Sequence, residues 1–225
     1  SDITGLFALG LVFRKKRVGT QWLKRSRTWF EREITKQVHE DGANYESSTY
    51  YHRLVLEMFL WVNTLADRAG EPFSDSYKER LCKMGGFTAA YTSPSGRAMQ
   101  IGDNDSGRLL SAGVGSASDH RYLLDGCVGE GGGIDRFLLV GDQANALPVS
   151  CAEEAYPDGG LYFLAQGDVW LGVRAGQILH RGGHAHCDQL AVVLSAKGRD
   201  FIVDRGTGIY TPDSEMRNEF RATAC

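Results

Sequence analysis

Three of the six histidines fall within seven positions, at His180, His184 and His186, and Asp188 follows two residues later. Imidazole is a common metal ligand and an acid or base near neutral pH, so such a cluster could hold a cation or move a proton. Titratable groups gathered in this way mark functional sites. Gly182 and Gly183 precede His184 and let backbone and ligand approach closely. In an extended segment His184 and His186 point the same way, because side chains alternate across a strand. Further on, a turn at Lys197-Gly198-Arg199 leads into Phe201-Ile202-Val203 and a second acid, Asp204. A plain hairpin centred on that turn sets Asp204 opposite about Ala191, not His186. For the two to share a ligand, residues 184–188 must curl back or the register must bulge.

A second candidate lies in Glu46-Ser47-Ser48-Thr49-Tyr50-Tyr51-His52. The triplet Tyr50-Tyr51-His52 opens a helix, where the backbone dipole favours a phenolate or a bound anion. Tyr50 reads as packing; Tyr51 is open between packing and chemistry. Gly102-Asp103-Asn104-Asp105-Ser106-Gly107-Arg108 resembles a calcium loop, but the acid required at its end falls on Val114. That excludes an EF-hand and leaves a turn, a cap or a loop at the rim of a substrate site. The glycine run 129–133 has no strand before it and no Lys-Ser/Thr after it, so it is a loop and not a phosphate cradle.

The elements that must position these residues change character along the chain. Residues 2–16 read as a helix with Arg14-Lys15-Lys16-Arg17 in its last turn. A second helix is expected over 20–39, a third from a cap at Ser47 or Ser48, and a fourth from a cap at Asp75 or Ser76. Short polar loops between them make neighbours antiparallel. From about Leu147 the pattern turns to strands, with Leu161–Ala165 and Val169–Val173 flanking Gly167-Asp168, then Gln189–Ala196 and Asp200–Val203. The expected organisation is α+β: a helical part over 1–145 and a β part over 146–225. A site drawing on Tyr51 and on the histidines would lie between the two.

A net charge of −3 over 225 residues argues against a general nucleic-acid or membrane binder, and no apolar run is long enough to span a bilayer. Oligomeric state cannot be read. The five cysteines (82, 127, 151, 187 and 225) are odd in number and lack Cys-x-x-Cys spacing, which argues against a disulfide scaffold and a zinc ribbon. Both termini read as internal to a longer protein.

Two blocks of residues resemble the heparinase II/III-like polysaccharide lyases, a family that includes heparan sulfate lyases and related alginate lyases. One block is Glu33, Gln37, Asp41-Gly42, Glu46, Ser48 and Tyr51-His52. The other is Gly183-His184, His186, Asp188 and Leu190, continued by Gly198, Val203-Asp204, Gly206-Thr207, Tyr210, Arg217, Arg221 and Thr223; Gly102-Asp103 and Asp105 also fit. The resemblance implies an incomplete α/α toroid followed by the start of an antiparallel β-sandwich, and β-elimination on an acidic, uronate-containing polysaccharide. It implies Tyr51 and His184 as catalytic residues. Glu46, His52 and Arg217 are candidate substrate contacts, and Arg174, Arg217 and Arg221 either face carboxylates or sulfates or pair within the protein. The resemblance also implies His186 and Asp204 as ligands of a structural zinc whose third ligand would lie beyond Cys225. An Asn-His pair expected by the same resemblance would fall before Ser1. A polymer substrate points to a periplasmic or secreted protein. Two rival readings remain: a carbohydrate-binding or assembly protein that keeps the fold without activity, and a metal-dependent hydrolase built on His184, His186 and Asp204.

Overall fold

The computed structural model describes residues 1–111, 115–124, 132–141, 147, 154–177, 183–210 and 212–222. His180, Arg181 and Gly182, the glycine run over 129–131, Cys127, Cys151, Thr223 and Cys225 lie outside the described residues. Among the described residues there are six helices, α1 (Asp2–Val12), α2 (Arg17–Gln37), α3 (Thr49–Arg68), α4 (Asp75–Tyr91), α5 (Gly132–Val140) and α6 (Ser214–Arg221). Five strands join them: β1 (Ala155–Tyr156), β2 (Leu161–Gln166), β3 (Val169–Arg174), β4 (Val192–Ala196) and β5 (Arg199–Ile202). The class is α+β, with α1 to α5 leading, the sheet following and α6 after it.

The longer helices form where apolar residues recur at helical spacing and a hydroxyl caps the first turn. Ser48 Oγ accepts the Tyr51 N–H at 3.2 Å and starts α3. Ser74, a residue earlier than the expected cap, accepts the Tyr77 N–H and starts α4. It is favoured because its hydroxyl also donates to Glu31 on α2, at 2.6 Å. Phe7, Phe30, Phe59, Phe73 and Tyr77 meet in one aromatic core, the Phe73 and Tyr77 rings stacked 4.3 Å apart. The basic run does not cap α1. That helix ends at Val12, and Arg14, Lys15 and Lys16 form the turn before Arg17 opens α2. The early break follows from tight packing of the two helices, for a Cβ on Gly19 would sit 2.0 Å from the Phe13 carbonyl oxygen. At 9 and 8 residues, α5 and α6 are too short for periodicity to announce them.

The sheet is an antiparallel meander in the order β1-β2-β3-β4-β5. Gly167, at φ +58°, closes the expected β2–β3 hairpin. Strand β4 starts at Val192, later than the expected Gln189, because residues 188–191 turn: the Ala191 N–H bonds the Asp188 carbonyl and Leu190 takes a φ of +64°. Between β4 and β5 the register shifts at Leu194/Ser195. The chain thus departs from a plain hairpin through a turn at 188–191 and a bulge in the β4–β5 register. One face of the sheet, with Leu161, Phe163, Trp170 and Val193, packs on Phe87 and Tyr91 of α4 and on Ala98, Met99 and Ile101. This apolar seam fixes the sheet against the helices.

Candidate active site

Three segments meet where α3 begins. Gly102 is the pivot: its φ is +68°, and a Cβ there would lie 2.6 Å from both the His184 and the Ser47 carbonyl oxygens. The Asp103 N–H donates to the His184 carbonyl at 2.8 Å, the Ser48 hydroxyl to the Asp103 carbonyl at 2.7 Å, and the Gly102 N–H to Asp188 at 3.0 Å. From beneath, the fully buried Arg53 of α3 donates to the carbonyls of Asp105, Gly107 and Ala117. Buried Glu57, 3.9 Å from Arg53, takes the Tyr122 hydroxyl and the Leu109 N–H. The loop carrying Asp103 and Asp105 is thus pinned from both sides.

On this frame the Tyr51 and His184 rings stack face to face, centroids 3.5 Å apart and planes within 10°. The Tyr51 hydroxyl lies 2.6 Å from the Tyr210 hydroxyl and 3.4 Å from Asp105. The Tyr210 hydroxyl lies 2.9 Å from His184 Nδ1, and that nitrogen lies 3.0 Å from Asp103 Oδ2. On the other side of the ring, His184 Nε2 is 3.4 Å from Glu46 Oε2. The His184 side chain remains 25 % exposed, so solvent and ligand can reach it. Arg217 of α6 stands 3.8 Å from Asp103, with its Nε buried and unpartnered.

Local fields favour neutral tyrosines. Burial raises the Tyr51 pKa well above the ordinary phenol range, reinforced by its contact with Tyr210 and by the nearby Asp105 and Asp103. Burial also raises Tyr210. Burial alone would raise Asp103, but hydrogen bonds from His186 and His184 outweigh it and hold the carboxyl below its usual value. A phenolate at the start of α3, the form the helix dipole would favour, is therefore not the resting state of Tyr51.

Of the residues singled out from sequence, Tyr51, His184, Glu46 and Arg217 come together here. His52 does not. It is fully buried, its Nε2 lies against the Met84 carbonyl and the Thr88 hydroxyl, and its ring packs on Phe87 and Tyr91. One residue of helix rotates it about 100° from Tyr51, into the core, so it touches no substrate. Arg174 is likewise buried, donating to the Gly159 carbonyl. From sequence, Asp103 and Asp105 belong only to a turn, cap or substrate-rim loop and Tyr210 has no role assigned, although all three fit the family-like pattern.

His186 and Asp204 sit behind His184. His186 Nε2 is 2.9 Å from Asp103 Oδ1, while its Nδ1, buried and unpartnered, lies 4.0 Å from Asp188 Oδ1. Burial raises the pKa of both Asp188 and Asp204, and Asp188 also feels the charge of Asp204. An orphaned imidazole nitrogen near two acids whose charge burial disfavours fits a divalent cation by donor type. Among the described residues no three His, Cys, Asp or Glu side chains converge as a complete ligand set. Cys82, on α4, is disulfide-bonded, so the scattered cysteines include a cross-link that spacing does not reveal.

No curated protein matches the chain. Among solved structures, a heparinase III gene product superposes with a TM-score of 0.72 at 19% identity, covering 97% of this chain and 34% of its own. The heparan sulfate lyase of Pedobacter heparinus superposes with a TM-score of 0.65 at 22% identity, covering 96% and 34%. Another heparinase III gives 0.67 at 17%, covering 97% and 36%. The chain thus spans about a third of the length of these solved relatives, and at such identities the likeness establishes the fold. The family profile described as Heparinase II/III N-terminus matches residues 1–111, and that described as Heparinase II/III-like, C-terminal matches residues 151–225. With both profiles matched in order and the polysaccharide lyase fold in place, the chain belongs to the heparinase II/III-like family.

Proposed function

We propose that this chain forms part of a polysaccharide lyase that cleaves a uronate-containing polymer by β-elimination. The observation that carries the reading is the Tyr51–His184 stack, with Tyr210 and Asp103 joined to it across the seam between helices and sheet. Elimination needs a base for the proton beside the uronate carboxylate, an acid for the departing glycosidic oxygen, and a positive or hydrogen-bonding partner for the carboxylate. His184 Nε2 takes the proton. The electron pair forms the ring double bond, the glycosidic C–O bond breaks, and Tyr51 donates its hydroxyl proton to the leaving oxygen. A neutral phenol suits that step, and burial keeps Tyr51 neutral. Arg217, partly exposed beside Asp103, would supply the cation that faces the carboxylate. Both groups regain their starting protonation from water once product leaves.

His186 and Asp204 would hold the zinc, whose contribution when bound is to tie the loops over 184–188 and 204–210 together. The polymeric acidic substrate and the Cys82 disulfide support export to the periplasm or exterior. No helix among the described residues is long and apolar enough to cross a membrane. The test is to incubate the full-length protein with heparan-type, alginate-type and capsular uronate polysaccharides and follow near-ultraviolet absorbance from the new double bond. Chain shortening without that absorbance would point to a hydrolase. No change with any of them would favour a binding protein. Either result ends the lyase reading.

A further inference from the structure

Asp103 is fully buried, yet its two oxygens serve two different histidines. Oδ2 meets Nδ1 of His184 at 3.0 Å, and Oδ1 meets Nε2 of His186 at 2.9 Å. The two rings therefore present opposite nitrogens to one carboxylate. An ionised carboxylate only accepts hydrogen bonds, so each nitrogen facing it must carry the proton. We propose that Asp103 is the positioning residue of this site, assigning both tautomers at once: Nδ1–H in His184 and Nε2–H in His186.

The assignment leaves the two lone pairs where they are needed. His184 keeps its lone pair on Nε2, which makes no hydrogen bond to Glu46 Oε2, 3.4 Å away, and so stays open to the substrate proton. His186 keeps its lone pair on Nδ1, the buried nitrogen without a partner beside Asp188. The same assignment orients the phenols. Because His184 Nδ1 is a donor, the Tyr210 hydroxyl cannot donate to it and instead donates to Tyr51, which passes its own hydrogen toward Asp105. Asp103 is held for this task by its own backbone, through its N–H to the His184 carbonyl and its carbonyl to the Ser48 hydroxyl. A loop from the helical part thereby fixes the working nitrogens of two residues from the sheet part. For the role of His184 as base this inference rests on the lyase reading; the tautomers themselves do not.

The experiment is a two-bond proton–nitrogen correlation spectrum of the metal-stripped, full-length protein, with His184 and His186 assigned by single substitutions. It is recorded at about pH 9, well above the ordinary imidazole pKa of about 6.5. Wild type is expected to show His184 as Nδ1–H and His186 as Nε2–H. Either ring in the opposite tautomer overturns the proposal, whatever becomes of any variant. Asp103→Asn then offers one acceptor and one donor in place of two acceptors, so one of the two rings must switch tautomer while circular dichroism stays native. Both rings unchanged in that variant would also overturn it. On a cleavable polysaccharide, Asp103→Asn should lower kcat about 10²–10⁴-fold with little change in KM. A KM effect alone would assign Asp103 to binding. Failure to find any cleavable substrate would sink the lyase reading and leave the tautomer result standing.

Discussion

Tyr51→Phe removes one oxygen and keeps the ring. The stack on His184 at 3.5 Å needs only the ring face, so the variant should bind and fold as wild type does. What disappears is the 2.6 Å hydrogen bond with Tyr210 and the longer one to Asp105. A partly buried hydrogen bond contributes about 1 kcal/mol, and removing a phenol that burial already disfavours offsets some of that. Stability should fall by less than about 1 kcal/mol. Turnover should fall much further, because a positioned acid contributes about 10²–10⁴-fold, or about 3–5 kcal/mol in the barrier. Initial rates of near-ultraviolet absorbance on a uronate polysaccharide measure the loss, and a urea titration measures stability. Tyr50→Phe is the neighbouring control: that ring is buried against His120, and turnover should survive. A Tyr51→Phe enzyme that retained more than about a tenth of the wild-type rate would refute the acid assignment.

Arg53→Met should destabilise the protein by about 3–5 kcal/mol in chemical denaturation, because it leaves Glu57 buried without its cation and frees three loop carbonyls. Gly102→Ala should cost more than about 1 kcal/mol and at least tenfold in turnover, since a φ of +68° and two carbonyl oxygens at 2.6 Å leave no place for a methyl group. Burial lowers the His52 pKa to about 3, so the unfolded chain takes up the proton first. Stability contributed by neutral His52 is complete above about pH 6.5 and falls as pH drops toward 3, by up to about 1.4 kcal/mol per pH unit; His52→Leu should flatten that slope in denaturation measured against pH.

The helical part and the β2–β3 hairpin follow from periodicity and turn chemistry, and Tyr51 is located by the cap at Ser48. His184 and His186 do face a common point, but not because they lie on a strand. They lie in the loop before β4, and the carboxylate of Asp103 gathers them. That partner sits more than 80 residues earlier, where no local rule points to it. His52 fails for the opposite reason. Adjacency in sequence suggests a shared site, while helical rotation sends it to the core beside Thr88. From sequence, Asp105 is one acid of a turn or rim loop and Tyr210 a residue type within a resemblance, since their contact runs through Tyr51 across 54 and 159 residues.

Those separations also bear on the order in which the protein acquires its parts. Each helix closes on neighbours a few residues away, whereas Tyr51 finds Tyr210 only after a loop of 159 residues has closed. In a refolding experiment the helical signal should return early, and competence to turn over substrate should trail it. A chain halted between the two stages would look native in its helix content while its chemical centre was still unassembled.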